Sequence, residues 1–127
     1  MDNQGRKANP GGRLQILRRE ESLRSRQYRG VFVSVLYERD SLEVLRIVME
    51  PGSALIDREI GSFPGIHFVI EGSPVFVAAN QSGDLIPGDS IALQAGESYR
   101  ISNPASSRAT LLTILDKGSE EGKSGGI

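Results

Sequence analysis

Apolar residues recur along this chain in short alternating runs rather than at helical spacing. Val31–Tyr37 sets Val31, Val33, Val35 and Tyr37 on one face and Phe32, Ser34 and Leu36 on the other. Leu42–Met49 opposes Leu45, Ile47 and Met49 to Val44, Arg46 and Val48, and Pro51-Gly52 breaks the run. Gly65, His67 and Val69 share a face opposite Ile66, Phe68 and Ile70. A period of two is the signature of a strand with one buried face. Further runs at Leu14–Leu17, Val75–Ala79, Ile91–Gln94, Tyr99–Asn103 and Arg108–Leu115 are separated by Gly and Pro turn signals. One helical turn is expected within Arg18–Arg26. About nine short strands with turn residues between them predict a β-sandwich or barrel.

Composition narrows this picture. With 127 residues, the chain holds one domain and one core. Its 15 glycines support frequent tight turns. The polar, Gly/Pro-rich residues 1–12 read as a disordered arm and 117–127 as a disordered tail, leaving 13–116 as the barrel domain. Without cysteine there are no disulfides or thiolate sites, and a single histidine excludes a multi-imidazole metal site.

Residues 1–30 hold eight basic and three acidic side chains against a net charge of −1 for the whole chain. A basic arm on an acidic body can contact nucleic acid, but no aromatic interleaving or recognition helix accompanies it, so it reads as a solvated segment. No apolar stretch approaches the ~18 residues of a membrane span, and the start lacks a signal-peptide core. Cytoplasmic residence is the default expectation.

The order of the turns is more specific than the fold class. The strand ending in Glu50-Pro51-Gly52-Ser53 is followed by Phe68-Val69-Ile70-Glu71-Gly72, Pro87-Gly88-Asp89-Ser90, Gln94-Ala95-Gly96-Glu97-Ser98-Tyr99-Arg100 and Asn103-Pro104. This series resembles the cupin family, with its "YVLEG" strand and turn and its "PAGxxHR" motif. The resemblance spans Glu50–Ile114 and implies an all-β, cupin-type jelly-roll barrel, a double-sheet architecture around a pocket. It also implies a homodimer.

Cupins with metal chemistry use an HxH pair, an acid and a third His. Against that pattern, Asp57-Arg58-Glu59-Ile60-Gly61 fills the HxH region, Gly65 stands at the acid position, Tyr99 at the third His and Gln94 at the motif proline. The remaining donors, Asp57, Glu59 and His67 with Tyr99, fall short of the usual ligand sets. No metal and no cofactor are therefore expected. Gly65 is expected to leave space where a ligand side chain would have been.

By parity and by the resemblance, His67 and Tyr99 point into the barrel, with Ile101 and Asn103 below Tyr99, while Arg100 points out. Candidate ligand-binding residues are His67, Tyr99, Glu59, Asp57, Asn103 and Arg46, whose planar fork suits an anion. Tyr37 and Met49 are assigned to the core. Three functions fit these residues. The first is a metal-free barrel that binds an unidentified small molecule as a sensor or accessory module. The second is a metal-independent isomerase, epimerase or lyase with His67 as base and Tyr99 as acid. The third is a structural or interaction domain whose pocket has collapsed. The outward row Ile66, Phe68 and Ile70 needs a cover, either the N-terminal strand or a second subunit.

Overall fold

Alternation becomes two facing antiparallel sheets in the computed structural model, which describes residues 14–118. The expected arm 1–12 and the tail from 119 onward lie outside the described residues. The strands are β1 (Arg24–Tyr28), β2 (Val31–Arg39), β3 (Leu42–Met49), β4 (Ala54–Ile56), β5 (Gly65–Glu71), β6 (Val75–Ala78), β7 (Ser82–Asp84), β8 (Ser90–Leu93), β9 (Tyr99–Ser102) and β10 (Ala109–Asp116). A short 3-10 turn, Asp57–Glu59, follows β4. One sheet runs β1-β2-β3-β10-β5-β8 and the other β4-β9-β6-β7. Every pairing among the described residues is antiparallel.

The core lies between the sheets. Val31, Val33 and Val35 of β2, Leu45, Ile47 and Met49 of β3, and Leu111 and Leu115 of β10 are sealed from solvent. Leu55 and Ile101 close over them from the smaller sheet. Burying a side chain of this size contributes roughly 1.5–3 kcal/mol, so this row supplies the main driving force. Gly72, Gly88 and Gly96 all take positive φ, as their turns require. At Gly72 the chain leaves β5 so close to β10 that an added Cβ would meet the Ala109 Cα at 2.6 Å.

Three local expectations are corrected. Leu14–Leu17 forms no strand, and Leu14 is 80% exposed. Its apolar residues have no sheet to join, because β1 already occupies the edge beside β2. The expected helical turn in Arg18–Arg26 is replaced by a bend and the start of β1. β1 is an edge strand of largely exposed polar residues, so no hydrophobic period betrays it. Tyr37 is exposed rather than core, because the β2–β3 register shifts between Val35 and Tyr37. A β-bulge inserts one residue and inverts the parity beyond it.

Candidate functional site

His67 sits in β5 directly across from Thr113 of β10, both on the inner face. Tyr99 approaches from β9 of the opposite sheet. The imidazole bridges the two. Its Nδ1 lies 2.6 Å from Thr113 Oγ1 and its Nε2 lies 3.0 Å from the Tyr99 hydroxyl. In either neutral tautomer one ring nitrogen donates and the other accepts. The rings meet edge to face with centroids 5.6 Å apart. His67 is fully buried, and desolvation lowers its pKa to about 4. Burial raises the Tyr99 pKa, aided by the Asp57 carboxylate, so the phenol stays protonated.

The other candidates have separate duties. Asp57 is buried; its Oδ1 accepts the Tyr99 backbone N–H at 3.3 Å and its Oδ2 accepts the Ser62 hydroxyl at 2.7 Å. Glu59 Oε1 accepts the Ile56 N–H at 3.1 Å, which ties its carboxylate to the turn after β4. Asn103 is inward and fully buried as expected, but its amide is committed to backbone. Its Nδ2 donates to the Met49 and Ser107 carbonyls, both at 2.9 Å, and its Oδ1 accepts the Ala105 N–H at 3.3 Å. Arg46 follows its parity to the outer face, where Nη2 donates to the Glu21 carbonyl at 3.4 Å. The structure thus brings His67, Tyr99 and Asp57 together, and leaves Arg46 outside the barrel.

Gly65 overturns one expectation. It does not leave ligand space. A Cβ there would lie 2.0 Å from the Ile114 carbonyl oxygen, so the glycine is required by close approach of the β10 backbone. A carboxylate-bearing residue has no room at the family's acid position. The donor set does not fit a metal either. Both His67 nitrogens, both Asp57 oxygens and one Glu59 oxygen already hold protein partners. Among the described residues no group of three His, Asp or Glu side chains is gathered for a cation.

Beside Tyr99, a cavity of about 280 Å³ opens where β6 and β9 of the small sheet face β8 of the large one. Its walls include Phe76, Ala78, Ala92, Leu93, Gln94 and Tyr99. His67 is not among them. The sequence reading missed Phe76, whose ring lies 5.8 Å from that of Tyr99, and Thr113. Thr113 was legible as a hydroxyl within the inward row Leu111, Thr113 and Leu115.

The fold as a whole matches many solved structures. A Cupin 2 conserved barrel domain protein from Salinispora arenicola superposes with a TM-score of 0.65 at 16% identity, covering 91% of this chain and 98% of that one. This is the cupin fold. The cupin domain of Schizosaccharomyces pombe Cnp3 gives a TM-score of 0.68 at 15% identity, with 84% and 77% of the two chains covered. A cupin superfamily protein from Desulfitobacterium hafniense gives 0.62 at 19% identity, with 82% and 97% covered. No protein-family model matches the sequence, and no curated protein matches it either. Other cupin barrels of similar shape include a predicted oxalate decarboxylase from Thermotoga maritima and a domain of an XRE family transcriptional regulator from Enterobacter cloacae. The fold therefore spans enzymes and regulators, and function has to be argued from the site. Among the described residues no helix is long and apolar enough to cross a membrane.

Proposed function

We infer that this cupin barrel is a small-molecule binding module that works without a metal, and that its ligand occupies the cavity between β6, β8 and β9. One observation carries the reading. Tyr99 lines that cavity while its hydroxyl lies 3.0 Å from Nε2 of the buried His67. A wall fixed before the ligand arrives loses little entropy on binding, which favours affinity. The lining mixes Phe76, Leu93 and three alanines with Asn80, Gln81, Gln94, Glu97 and Ser98, so a ligand would meet both apolar contact and polar groups that fix its orientation.

Acid–base catalysis through His67 is disfavoured by the same geometry. A general base must come within hydrogen-bond reach of the proton that it removes. His67 is sealed, both its nitrogens are occupied, and it does not line the cavity. His67 is therefore a positioning residue for Tyr99.

The test is to incubate the full chain with a soluble metabolite extract, remove unbound compounds and record native mass spectra. Wild type should retain a discrete adduct. The Ala78→Trp variant, whose side chain shares the inner face with Tyr99 at the cavity wall, should retain none while keeping the wild-type circular dichroism. Equal retention by both proteins, or no adduct on wild type, would overturn the reading.

A further inference from the structure

The cavity beside Tyr99 has a chemical bias of its own. Two turns supply most of its polar groups. Asn80 and Gln81 stand in the turn between β6 and β7, which the Ala78 N–H closes by donating to the Gln81 carbonyl at 2.8 Å. Gln94, Glu97 and Ser98 stand in the turn between β8 and β9. There the Glu97 N–H donates to the Gln94 carbonyl at 3.3 Å, and the Gly96 N–H ties the turn to the Ser62 carbonyl at 3.1 Å. Both turns are therefore held by the protein's own backbone before a ligand enters.

Charge decides what those groups can hold. Among the residues that line the cavity, Glu97 alone carries a charge. Its carboxylate takes part in no ion pair among the described residues. A second carboxylate stands behind the lining. Asp57 is buried and accepts the Tyr99 N–H and the Ser62 hydroxyl, both neutral donors. A buried carboxylate ordinarily has a cation beside it. Arg58 and Arg100, next in the chain to Asp57 and Tyr99, are exposed, and among the described residues neither pairs with Asp57 or Glu97. Burial, and after it the Asp57 charge, raises the Tyr99 pKa, so the negative field reaches the lining. An anion would be repelled by both carboxylates, and an uncharged ligand would leave them unmatched. An ammonium group brings three N–H donors and no acceptor, which suits the Glu97 carboxylate and the amide carbonyls of Asn80, Gln81 and Gln94. We propose that the occupant of this cavity is an organic cation, a small amine bound in its protonated form, with its ammonium at Glu97 and its carbon frame against Phe76 and Leu93.

This assignment rests on the cavity being the ligand site and adds the ligand's charge. Three probes with one carbon frame isolate that charge: isoamylammonium, isoamyl alcohol and isovalerate. Each is titrated at neutral pH into the full-length chain and followed by the NMR amide shifts of Ala78, Gln94, Glu97 and Ser98. The ammonium should bind roughly fivefold tighter than the alcohol, the scale of an exposed ion pair. The carboxylate should give no saturable shift. Added salt should narrow the gap between ammonium and alcohol. Glu97→Gln keeps the side chain's shape and removes its charge at an exposed position. It should weaken the ammonium roughly fivefold and leave the alcohol unchanged, so the alcohol reports that the cavity is intact. Equal affinities, tighter binding of the alcohol or the carboxylate, no saturable shift from any probe, or an undiminished ammonium preference in Glu97→Gln would overturn the proposal. Failure of the ligand site itself is told apart by the extract experiment. Wild type that retains no adduct refutes the site, whereas a neutral or anionic adduct refutes only the cation.

Discussion

His67 Nε2 and the Tyr99 hydroxyl meet at 3.0 Å across the interior and tie the two sheets of the barrel to each other. The contact lies where sealed apolar side chains otherwise fill the space, so neither group has water to fall back on.

Removing one partner exposes the cost of the other. Tyr99→Phe leaves Nε2 without its contact, and Thr113→Val does the same to Nδ1. Each should destabilise the protein by about 1–3 kcal/mol, the penalty of an unsatisfied buried polar group. Because both act through one imidazole, the double variant should cost less than the two single losses combined. Urea denaturation of the four proteins in the cycle checks this. Strict additivity would show that the two contacts are independent.

Acid should unfold the protein through the same residue. The folded pKa of His67 is about 4, below its ordinary value near 6.5. The unfolded chain therefore binds the proton first, and stability falls as pH drops through the window from about 6.5 to about 4. The full loss is about 3 kcal/mol, and it is absent above that window. Denaturant midpoints of wild type and His67→Gln, measured from pH 7 to pH 4, isolate the effect from the carboxylates. The wild-type curve should be the steeper one; parallel curves would remove His67 as the cause.

Gly65 should tolerate no side chain. In Gly65→Ala the new Cβ would be forced against the Ile114 carbonyl, separating β5 from β10 at the centre of the large sheet. A loss of at least about 2 kcal/mol is expected, at the upper part of the range for overpacking. Thermal unfolding measures it. A variant as stable as wild type would show that β10 can yield.

Asn103 should matter for stability rather than for ligand. Asn103→Ala deletes two bonds donated to the Met49 and Ser107 carbonyls and one accepted from the Ala105 amide. About 2–4 kcal/mol should be lost. Hydrogen exchange should accelerate at the Ala105 amide, whose acceptor is removed. Unchanged exchange there would mean that the loop between β9 and β10 holds itself.

The inner faces of β2, β3 and β5 were legible because alternation survives wherever one side of a strand is buried. Met49, Val69 and His67 all fall where their parity puts them. Beyond Val35 that logic failed at Tyr37, since nothing in the local pattern marks an inserted residue. β1 escaped notice for the opposite reason: Arg24–Tyr28 has too few apolar side chains to show a period, and its place is set by pairing with β2. Of the candidate site, the inward orientation of His67 and Tyr99 was readable, while the Thr113 contact depends on the β5–β10 register.

By itself the sequence determined the sandwich, the cupin turn order and the shortage of metal donors, because alternation, glycine positions and residue types are local properties. Tertiary structure alone decided what the remaining histidine does. Strand register and the spacing of the two sheets set His67 between Thr113 and Tyr99, sealed it from the cavity and turned Gly65 into a point of backbone contact. Such distances between segments far apart in the chain are fixed only when the sheets close on each other.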